Sequence, residues 1–476
     1  MEQRLEARLQ HALNGELFPQ FAGNWASEID RAVQLLSSVC EARSERKRIA
    51  LEASDPVRFW ACFFLVANWD WDIFLFNPHW GEKERKEALE IARPHWVVDG
   101  ASIEKEIEGI VTSKETESEI EGFRVMIPTG GSSGKIRFAI HDWRTLVAAV
   151  EGLRKHFDSP AISSLCMLPL YHVSGFMQTI RSAITGGKVV FNLGSGFIEN
   201  CQALFSLAPD DRFLSLVPTQ LRRLLQDDLS VRCLGDFRAI FCGGGPLPQD
   251  LARASRKARL PLAPTYGMTE TAAQVATLFP EEFLAGVGGQ GSPLPHACID
   301  ILNTDSGSGN VGDVSVQSSS LFRGYFGSAA RGARPLATGD RGAKDEKGRI
   351  SILGRGGRTI ISGGENIDLQ EIENAFTETR LVRDVVAFGM DDEKWGARLC
   401  VAYTAVDGKN VETDLKLAIG RRLASFKQPK SWLSVDALPR NGIGKVDLAS
   451  LHKLIEDSNE ADVEKRLDRR LKDGPS

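Results

Sequence analysis

A glycine- and hydroxyl-rich segment follows an apolar, strand-like stretch that ends at Ile127. Its members are Thr129, Gly130, Gly131, Ser132, Ser133, Gly134 and Lys135, and Arg137 comes two residues later. Glycines let backbone N–H groups turn toward an anion, hydroxyls add donors, and the two cations supply a positive field. The spacing is not that of a Walker loop, because no Ser or Thr follows the lysine. The segment predicts a phosphate-binding loop of another kind, although its composition alone is also typical of a flexible turn.

Later segments carry further polar groups that would suit a nucleotide. One short span holds an aromatic ring, a glycine, a hydroxyl and a carboxylate, contributed by Tyr266, Gly267, Met268, Thr269 and Glu270. Such groups could stack a base, contact phosphate and hold Mg²⁺. Asp340 offers an acceptor for ribose hydroxyls, segments 354–358 and 362–366 repeat the flexible polar pattern, and Lys445 lies on a glycine turn. Each segment is weak evidence by itself.

Composition narrows the class of protein. A chain of 476 residues exceeds one ordinary core, which predicts two or more domains. The net charge of −5 shows no basic excess, so nucleic acid and anionic membrane surfaces are not expected as main partners. Eight cysteines without CxxC spacing predict reduced thiols in the cytosol. No export signal is expected, and the apolar run 59–69 is about half the length of a membrane span.

Periodicity predicts an α/β fold. Residues 1–50 favour amphipathic helices, and short apolar runs such as Ile73–Phe76 and Trp96–Val98 then alternate with helical stretches such as Lys83–Ala92. Similar units continue to about residue 258, and short strands with glycine-rich turns follow between 297 and 352. We expect a large N-terminal domain over 1–356 and a small α+β domain over 357–476, whose last twenty residues form a charged helix or a disordered end.

Taken in order, these segments resemble the adenylate-forming superfamily of acyl-CoA synthetases, nonribosomal adenylation domains and luciferases. The resemblance extends from about Val125 to Lys445. It implies a large domain of layered α/β sheets with a β-barrel-like part, and a small mobile C-terminal domain that rotates between two half-reactions. It also implies ATP, Mg²⁺ and coenzyme A as ligands.

The resemblance assigns roles to the residues of the nucleotide site. Residues 129–135 match the loop that grips the β- and γ-phosphates, and Arg137 replaces the usual loop lysine, whose charge it keeps. The adenine-contacting segment is matched by Gly243, Gly244, Gly245 and Pro246. Tyr266 matches the ring that lies against adenine, with core packing as the alternative, and Gly267 and Met268 continue that motif. Thr269 resembles the α-phosphate contact, Glu270 the magnesium carboxylate, and Asp340 and Arg355 the ribose-binding pair.

The family's catalytic lysine is matched by Lys445. A substrate carboxylate must attack the α-phosphorus, and one lysine that bridges both anions offsets their repulsion in the transition state. Gly357 matches the hinge, at a position where relatives often carry Asp or Lys, and a glycine absorbs a large backbone rotation at little cost. Gly363 and Gly364 match the loop that lines the path of coenzyme A.

The acid substrate is indicated by His172, Ser174 and Arg181. Their spacing resembles the o-succinylbenzoyl-CoA synthetase branch of the superfamily, and Asn77–Trp80 and Lys135–Phe138 resemble its phototroph members. That substrate is a dicarboxylate, so a cation in the pocket makes chemical sense. His172 could instead be a core histidine, and Arg181 could form a structural salt bridge.

The expected activity is therefore an ATP-dependent ligase that joins 2-succinylbenzoate to coenzyme A through an acyl-adenylate. AMP and diphosphate would be released, in menaquinone or phylloquinone biosynthesis. An aryl- or short-acyl-CoA ligase for another acid stays open, as does an AMP-binding or carrier-protein-loading module without free-CoA ligase activity. The sequence also leaves open whether the chain forms a homo-oligomer.

Overall fold

A computed structural model describes most of the chain. It covers residues 16–19, 25–40, 46–69, 71–99, 103–105, 122–130, 136–192, 196–207, 211–245, 247–304, 311–355, 359–406, 411–439, 446–448 and 450–455. The described residues form two compact units. The first draws on the ranges 1–78, 86–129 and 136–357, and the second on 79–85, 130–135 and 358–476. The expected domain boundary at 356–357 lies outside the described residues and stays a prediction.

Helices and strands alternate through the first unit, which confirms the predicted α/β class. The helices span Trp25–Cys40, Pro56–Ala67, Glu82–Ala92, Trp143–His156, Val173–Thr185, Phe197–Leu207, Pro218–Leu224, Asp228–Gly235, Gln249–Lys257, Pro280–Leu284, Leu369–Glu378 and Glu412–Gly420. The strands of the first unit are β1 Arg48–Leu51, β2 Asp72–Leu75, β3 Trp96–Val98, β4 Ile103–Lys105, β5 Arg124–Gly130, β6 Ile136–His141, β7 Ser163–Cys166, β8 Val189–Phe191, β9 Arg212–Leu216, β10 Ala239–Cys242, β11 Leu262–Met268, β12 Ala273–Thr277, β13 Ser292–Pro293, β14 Ala297–Leu302, β15 Val311–Ser318, β16 Leu336–Lys344 and β17 Ile350–Arg355. Those of the second are β18 Thr359–Ser362, β19 Glu365–Asp368, β20 Val382–Asp392, β21 Gly396–Ala405 and β22 Ser431–Ser434.

Two layered sheets make up most of the first unit. One has the order β4-β3-β1-β2-β5-β6, and the other has the order β13-β12-β11-β10-β9-β7-β8. In the second sheet β8, β7, β9, β10 and β11 run parallel to one another. β12 is antiparallel to β11, and β13 is antiparallel to β12. The expectation of helices throughout residues 1–50 is wrong at its end, where β1 begins at Arg48. Tertiary pairing decides this, because Ile49, Ala50 and Leu51 are buried between β2 and β3.

Two smaller sheets complete the described fold. An antiparallel meander, β14-β15-β16-β17, belongs to the first unit. The second unit contains the order β19-β18-β21-β20, with β22 parallel to β21. This mostly antiparallel sheet, together with the helices Leu369–Glu378 and Glu412–Gly420, agrees with the expected α+β class.

An aromatic cluster fixes the helix that starts at Val173. The apolar run near residue 60 forms the helix Pro56–Ala67, in which nine side chains are buried. Because almost no side of this helix faces solvent, its sequence is apolar on every side. Trp60 stacks on Phe176 with centroids 5.3 Å apart, and Phe63 meets the same ring edge-on at 5.2 Å. These contacts hold the helix that carries Arg181 against the first sheet's layer.

None of the described helices combines the length and the apolar character needed to cross a bilayer. The described cysteines whose side chains are placed are free thiols, as the spacing predicted, and they are Cys62, Cys166, Cys201, Cys233, Cys242, Cys298 and Cys400.

A close approach at Gly152 yields a test of the packing. A Cβ at this position of the helix Trp143–His156 would lie 1.8 Å from Nδ1 of His296. Gly→Ala inside a helix ordinarily stabilises by about 1 kcal/mol. We expect Gly152→Ala to destabilise instead, by roughly 1–3 kcal/mol, because the ring must move out of a packed site. Chemical denaturation followed by circular dichroism measures the change.

The matched control is Gly235→Ala, at the end of the helix Asp228–Gly235, where a Cβ would meet nothing within 4 Å. It should leave stability unchanged or slightly higher. Equal effects of both substitutions would contradict the packing described at Gly152.

Candidate active site

The predicted nucleotide and acid residues converge because of parallel strand pairing. Strands β7, β9, β10 and β11 run in the same direction, so their carboxyl ends lie along one edge of the sheet. His172 follows β7, the triplet 243–245 follows β10, and Tyr266 lies near the end of β11. In open α/β sheets this edge is where ligands bind.

The glycines after β10 keep the backbone close to its neighbours. The N–H of Gly243 donates to the carbonyl of Leu216 at 3.2 Å, and a Cβ there would lie 2.9 Å from Cγ2 of Thr265. Gly244 has φ +74°, a conformation that favours glycine. The triplet therefore forms a backbone turn at the edge of the sheet, and this turn carries no side chain of its own. Pro246 lies outside the described residues.

Tyr266 and the predicted ribose pair lie together. The hydroxyl of Tyr266 donates to Oδ2 of Asp340 at 2.6 Å, and Tyr266 is only half-buried. Asp340 lies opposite Arg355 in the register of β16 and β17. The ring and the carboxylate thus meet, and the strand register brings the backbone of Arg355 beside that of Asp340, although the sequence separates Tyr266 from Arg355 by almost ninety residues. Core packing alone does not account for Tyr266.

Glu270 is held by a residue that sequence reasoning missed. Its carboxylate is almost fully buried, and the hydroxyl of Tyr325 donates to Oε1 at 2.7 Å. The guanidinium of Arg137 lies over the Tyr325 ring, 4.1 Å from its centroid. Tyr325 therefore links the predicted metal carboxylate to the predicted phosphate cation. No sequence pattern distinguishes this tyrosine from an ordinary core residue.

A magnesium ion would find few protein ligands here. In the described part of the chain no cluster of three or more His, Cys, Asp or Glu side chains could hold a metal. Magnesium commonly uses one or two carboxylates together with substrate phosphates, so Glu270 fits that requirement. Among the described residues its second oxygen, Oε2, accepts no hydrogen bond.

Thr269 is positioned through its backbone by a buried histidine. Nε2 of His141 lies 2.8 Å from the carbonyl oxygen of Thr269, and Nδ1 lies 3.0 Å from the Thr145 hydroxyl. Burial lowers the pKa of His141 to about 4, so the ring is neutral at physiological pH and donates from Nε2 to that carbonyl. His141 also was not identified from the sequence.

The turn after Thr269 is strained. Ala272 and Ala273 have φ +51° and +79°, which residues with a Cβ rarely adopt. A Cβ at Gly267 would lie 2.0 Å from the carbonyl oxygen of Ala273, so the close approach requires glycine there. Such backbone strain concentrates at functional sites, where the surrounding structure maintains it.

The phosphate-loop residues are only partly described. Thr129 and Gly130 end β5, Arg137 lies in β6, and these strands are neighbours in the first sheet. Gly131, Ser132, Ser133, Gly134 and Lys135 connect them and lie outside the described residues. Lys445 and Gly357 lie outside them as well. The roles assigned to all these residues stay predictions.

The predicted acid-binding residues follow one helix. His172 is the N-cap of the helix Val173–Thr185, and Ser174 is half-buried in its first turn. Gly175 allows the first turn of the helix to pack closely against the preceding loop, since a Cβ there would lie 2.1 Å from the carbonyl oxygen of Pro169. Arg181 lies two turns after Ser174, a spacing that returns to the same helix face.

Arg181 is a buried cation. Its side chain donates through Nη2 to Oε1 of Gln274 in β12, and Nε has no hydrogen-bond partner among the described residues. Among the described residues no carboxylate forms a salt bridge with it, so the structural salt bridge has no support in that part of the chain. Burial lowers the pKa of the guanidinium to about 9, so it stays charged at neutral pH.

In the second unit, Gly363 and Gly364 form a turn with φ +62° and +91°. The N–H of Gly363 donates to the carbonyl of Trp395 at 2.8 Å. The ammonium groups of Lys394 and Lys430 lie 5.0 and 5.2 Å from the centroid of the Trp395 ring. Burial and the Lys394 charge lower the pKa of Lys430. A half-buried aromatic ring with two cations therefore adjoins the predicted coenzyme A loop.

Comparison with known proteins places these features in a family. Residues 73–326 match the family described as AMP-binding enzyme, and residues 371–445 match the AMP-binding enzyme C-terminal domain. A 2-succinylbenzoate--CoA ligase from Bacillus licheniformis is 34% identical over 332 residues, which cover 67% of each chain.

Two solved structures of o-succinylbenzoate CoA synthetase (MenE) from Bacillus subtilis are similar. A double mutant bound with the product analogue OSB-NCoA has a TM-score of 0.75 at 24% identity, and it covers 88% of this chain and 91% of its own. The complex with the acyl-adenylate OSB-AMP has a TM-score of 0.60 at 27% identity, with the same coverage. Together with the site geometry and the two family matches, these findings show that the chain belongs to the AMP-binding enzyme family.

Proposed function

We propose that this protein is an acid–thiol ligase that converts 2-succinylbenzoate, ATP and coenzyme A to 2-succinylbenzoyl-CoA, AMP and diphosphate. The observation that carries the choice of acid is Arg181, a buried guanidinium without a described carboxylate partner. The name shared by the curated relatives, 2-succinylbenzoate--CoA ligase, supports the same acid.

Electrostatics explain why a buried cation favours a dicarboxylate. Removing an ion from water costs several kcal/mol after relaxation, and a partner anion offsets that cost. Gln274 supplies only a neutral oxygen. The aromatic carboxylate of 2-succinylbenzoate would supply the missing charge, whereas a fatty acid would present an apolar chain to the same group.

The first half-reaction uses the residues at the sheet edge. An oxygen of the succinyl carboxylate attacks the α-phosphorus, the bond between that phosphorus and the bridging oxygen breaks, and diphosphate leaves. Lys445 would lie between the two anions, and Arg137 would neutralise charge on the leaving group. Magnesium held by Glu270 and the phosphates would supply further charge stabilisation. Tyr325 and His141 would orient Glu270 and Thr269 without contacting the reacting atoms.

The second half-reaction forms the thioester. The thiol of coenzyme A gives its proton to water and its sulfur attacks the acyl carbon. The bond from that carbon to the AMP oxygen breaks, and AMP leaves. Trp395 offers a ring on which an adenine could stack, and Lys394 and Lys430 offer charge for its phosphates. The free thiols and the need for ATP and coenzyme A favour the cytosol.

The activity is tested by diphosphate release with ATP and Mg²⁺ across a panel of acids, followed by mass analysis after coenzyme A is added. The panel contains 2-succinylbenzoate, benzoate, succinate and octanoate. We expect a strong signal with 2-succinylbenzoate and its thioester as product. A signal with another acid would support an aryl- or short-acyl-CoA ligase, and adenylation without thioester would support a carrier-loading module.

Substitution of Arg181 tests the acid pocket. The matched substrate is 4-oxo-4-phenylbutanoate, which lacks only the aromatic carboxylate. We expect Arg181→Gln to reduce the preference for 2-succinylbenzoate over this analogue by roughly 10- to 100-fold, since a charged hydrogen bond contributes about 1.5–3 kcal/mol. The ratio of the two kcat/KM values measures the effect. A folding defect would lower both values alike, and an unchanged ratio would refute the assignment.

Lys445→Ala tests the division between the half-reactions. We expect it to abolish adenylation and to spare thioester formation from supplied acyl-adenylate, because the lysine is needed only when two anions meet. Trp395→Ala is the opposite control, which should slow the thioester step and raise the KM for coenzyme A. If both half-reactions fail together in Lys445→Ala, the proposed role is wrong.

A further inference from the structure

We propose that the first unit contains a second anion site, which binds a phosphorylated small molecule. A cavity of about 860 Å³ is lined by residues 295–298, 317–319, 321–323 and 330–333. None of these residues is among those predicted to bind ATP, the acid or coenzyme A. The cavity lies beside the meander, where Ala297 and Cys298 of β14 pair with Ser318 and Gln317 of β15.

The charge of the lining is one-sided. Arg323 and Arg331 are cations, and no aspartate or glutamate lines the cavity. Arg323 contacts one carboxylate oxygen, Oδ2 of Asp142, at 2.8 Å from Nε and 2.7 Å from Nη2. Among the described residues, Arg331 donates to the carbonyls of Phe322 and Arg334. Asp142 therefore balances the charge of Arg323, no described carboxylate contacts Arg331, and burial and the Arg323 charge lower the pKa of Arg331.

His296 belongs to the wall of the cavity, but its ring faces away from the cavity. Both ring nitrogens are inaccessible to solvent, Nδ1 faces Gly152 of the helix Trp143–His156, and the charge of Arg181 acts on the ring. The backbone of His296 is firmly held, because its carbonyl oxygen accepts from the Ser318 hydroxyl at 2.9 Å and from the Ser319 N–H at 3.3 Å.

Phosphate is the chemistry that fits these groups. Planar guanidinium forks bind phosphate oxygens in pairs, and a dianion would offset the repulsion between Arg323 and Arg331. The volume exceeds that of a lone phosphate, which leaves room for the organic part of a phosphorylated metabolite.

The lining is also joined to the reaction site. The N–H of Phe322 donates to the carbonyl of Glu270 at 2.9 Å, and that of Arg323 donates to the carbonyl of Ile140 at 2.8 Å. Tyr325, which holds the Glu270 side chain, follows two residues later. A ligand in the cavity would therefore contact the same segment whose backbone hydrogen bonds position the predicted metal carboxylate.

Cys298 provides a local reporter, because it is exposed and lines the cavity. The rate of its alkylation by neutral iodoacetamide is followed by peptide mass spectrometry, with inorganic phosphate, diphosphate or citrate as probe at constant ionic strength. We expect phosphate and diphosphate to slow labelling in a saturable manner. Arg331→Gln should weaken that protection at least tenfold. Arg334→Gln, which removes the same charge from the same segment outside the lining, should leave it within twofold.

Each other outcome would overturn the proposal. Protection that is absent, or equal in Arg331→Gln and the native chain, would mean that no anion binds here. Protection by citrate alone would replace phosphate with carboxylate as the ligand chemistry. Loss of protection in Lys135→Ala would place the anion at the predicted phosphate loop instead, and labelling at Cys298 keeps this result separate from the proposed activity.

Discussion

The parallel pairing of β7, β9, β10 and β11 is the constraint on which the site depends. Because these strands run in one direction, the segments that follow them must leave the sheet at the same edge. Residues near 172, 243 and 266 meet there although they are far apart in the chain. The glycines at these exits are required by close approach: Gly175 meets the carbonyl of Pro169, and Gly267 meets that of Ala273. A bulkier residue at either position would move the element that carries the chemistry.

Burial sets the charge state of several titratable groups in the first unit. His141, His156 and His296 all have pKa values lowered to about 4, mainly by burial, so each is neutral at physiological pH and serves as a fixed hydrogen-bonding or packing group. Arg181 differs because a guanidinium remains charged even when it is buried. An unpaired cation in the interior lowers stability, and a chain that binds an anionic substrate regains that free energy on binding.

Positioning residues connect the predicted ligand contacts to one another. Tyr325 contacts both Arg137 and Glu270, and Tyr266 contacts Asp340. The same segment that ends at Tyr325 begins in the wall of the second cavity, where Phe322 bonds to the backbone of Glu270. Tyr325, which contacts Glu270, thus lies two residues after Arg323 of the cavity lining.

The sequence by itself determined the class of fold and the family. Local signals were enough for these, because glycine turns, strand-like apolar runs and an ordered set of short motifs depend on neighbours in the chain. The start of β1 at Arg48 was missed, since pairing with β2 and β3 outweighed helical periodicity. Tyr325, His141, Gln274 and His296 also carried no signal, because their importance comes from contacts across about 50 to 190 residues of sequence. Only the tertiary structure decided that Arg181 is buried without a described carboxylate and that Arg323 and Arg331 line one cavity, since burial and charge pairing are properties of packed elements rather than of a sequence segment.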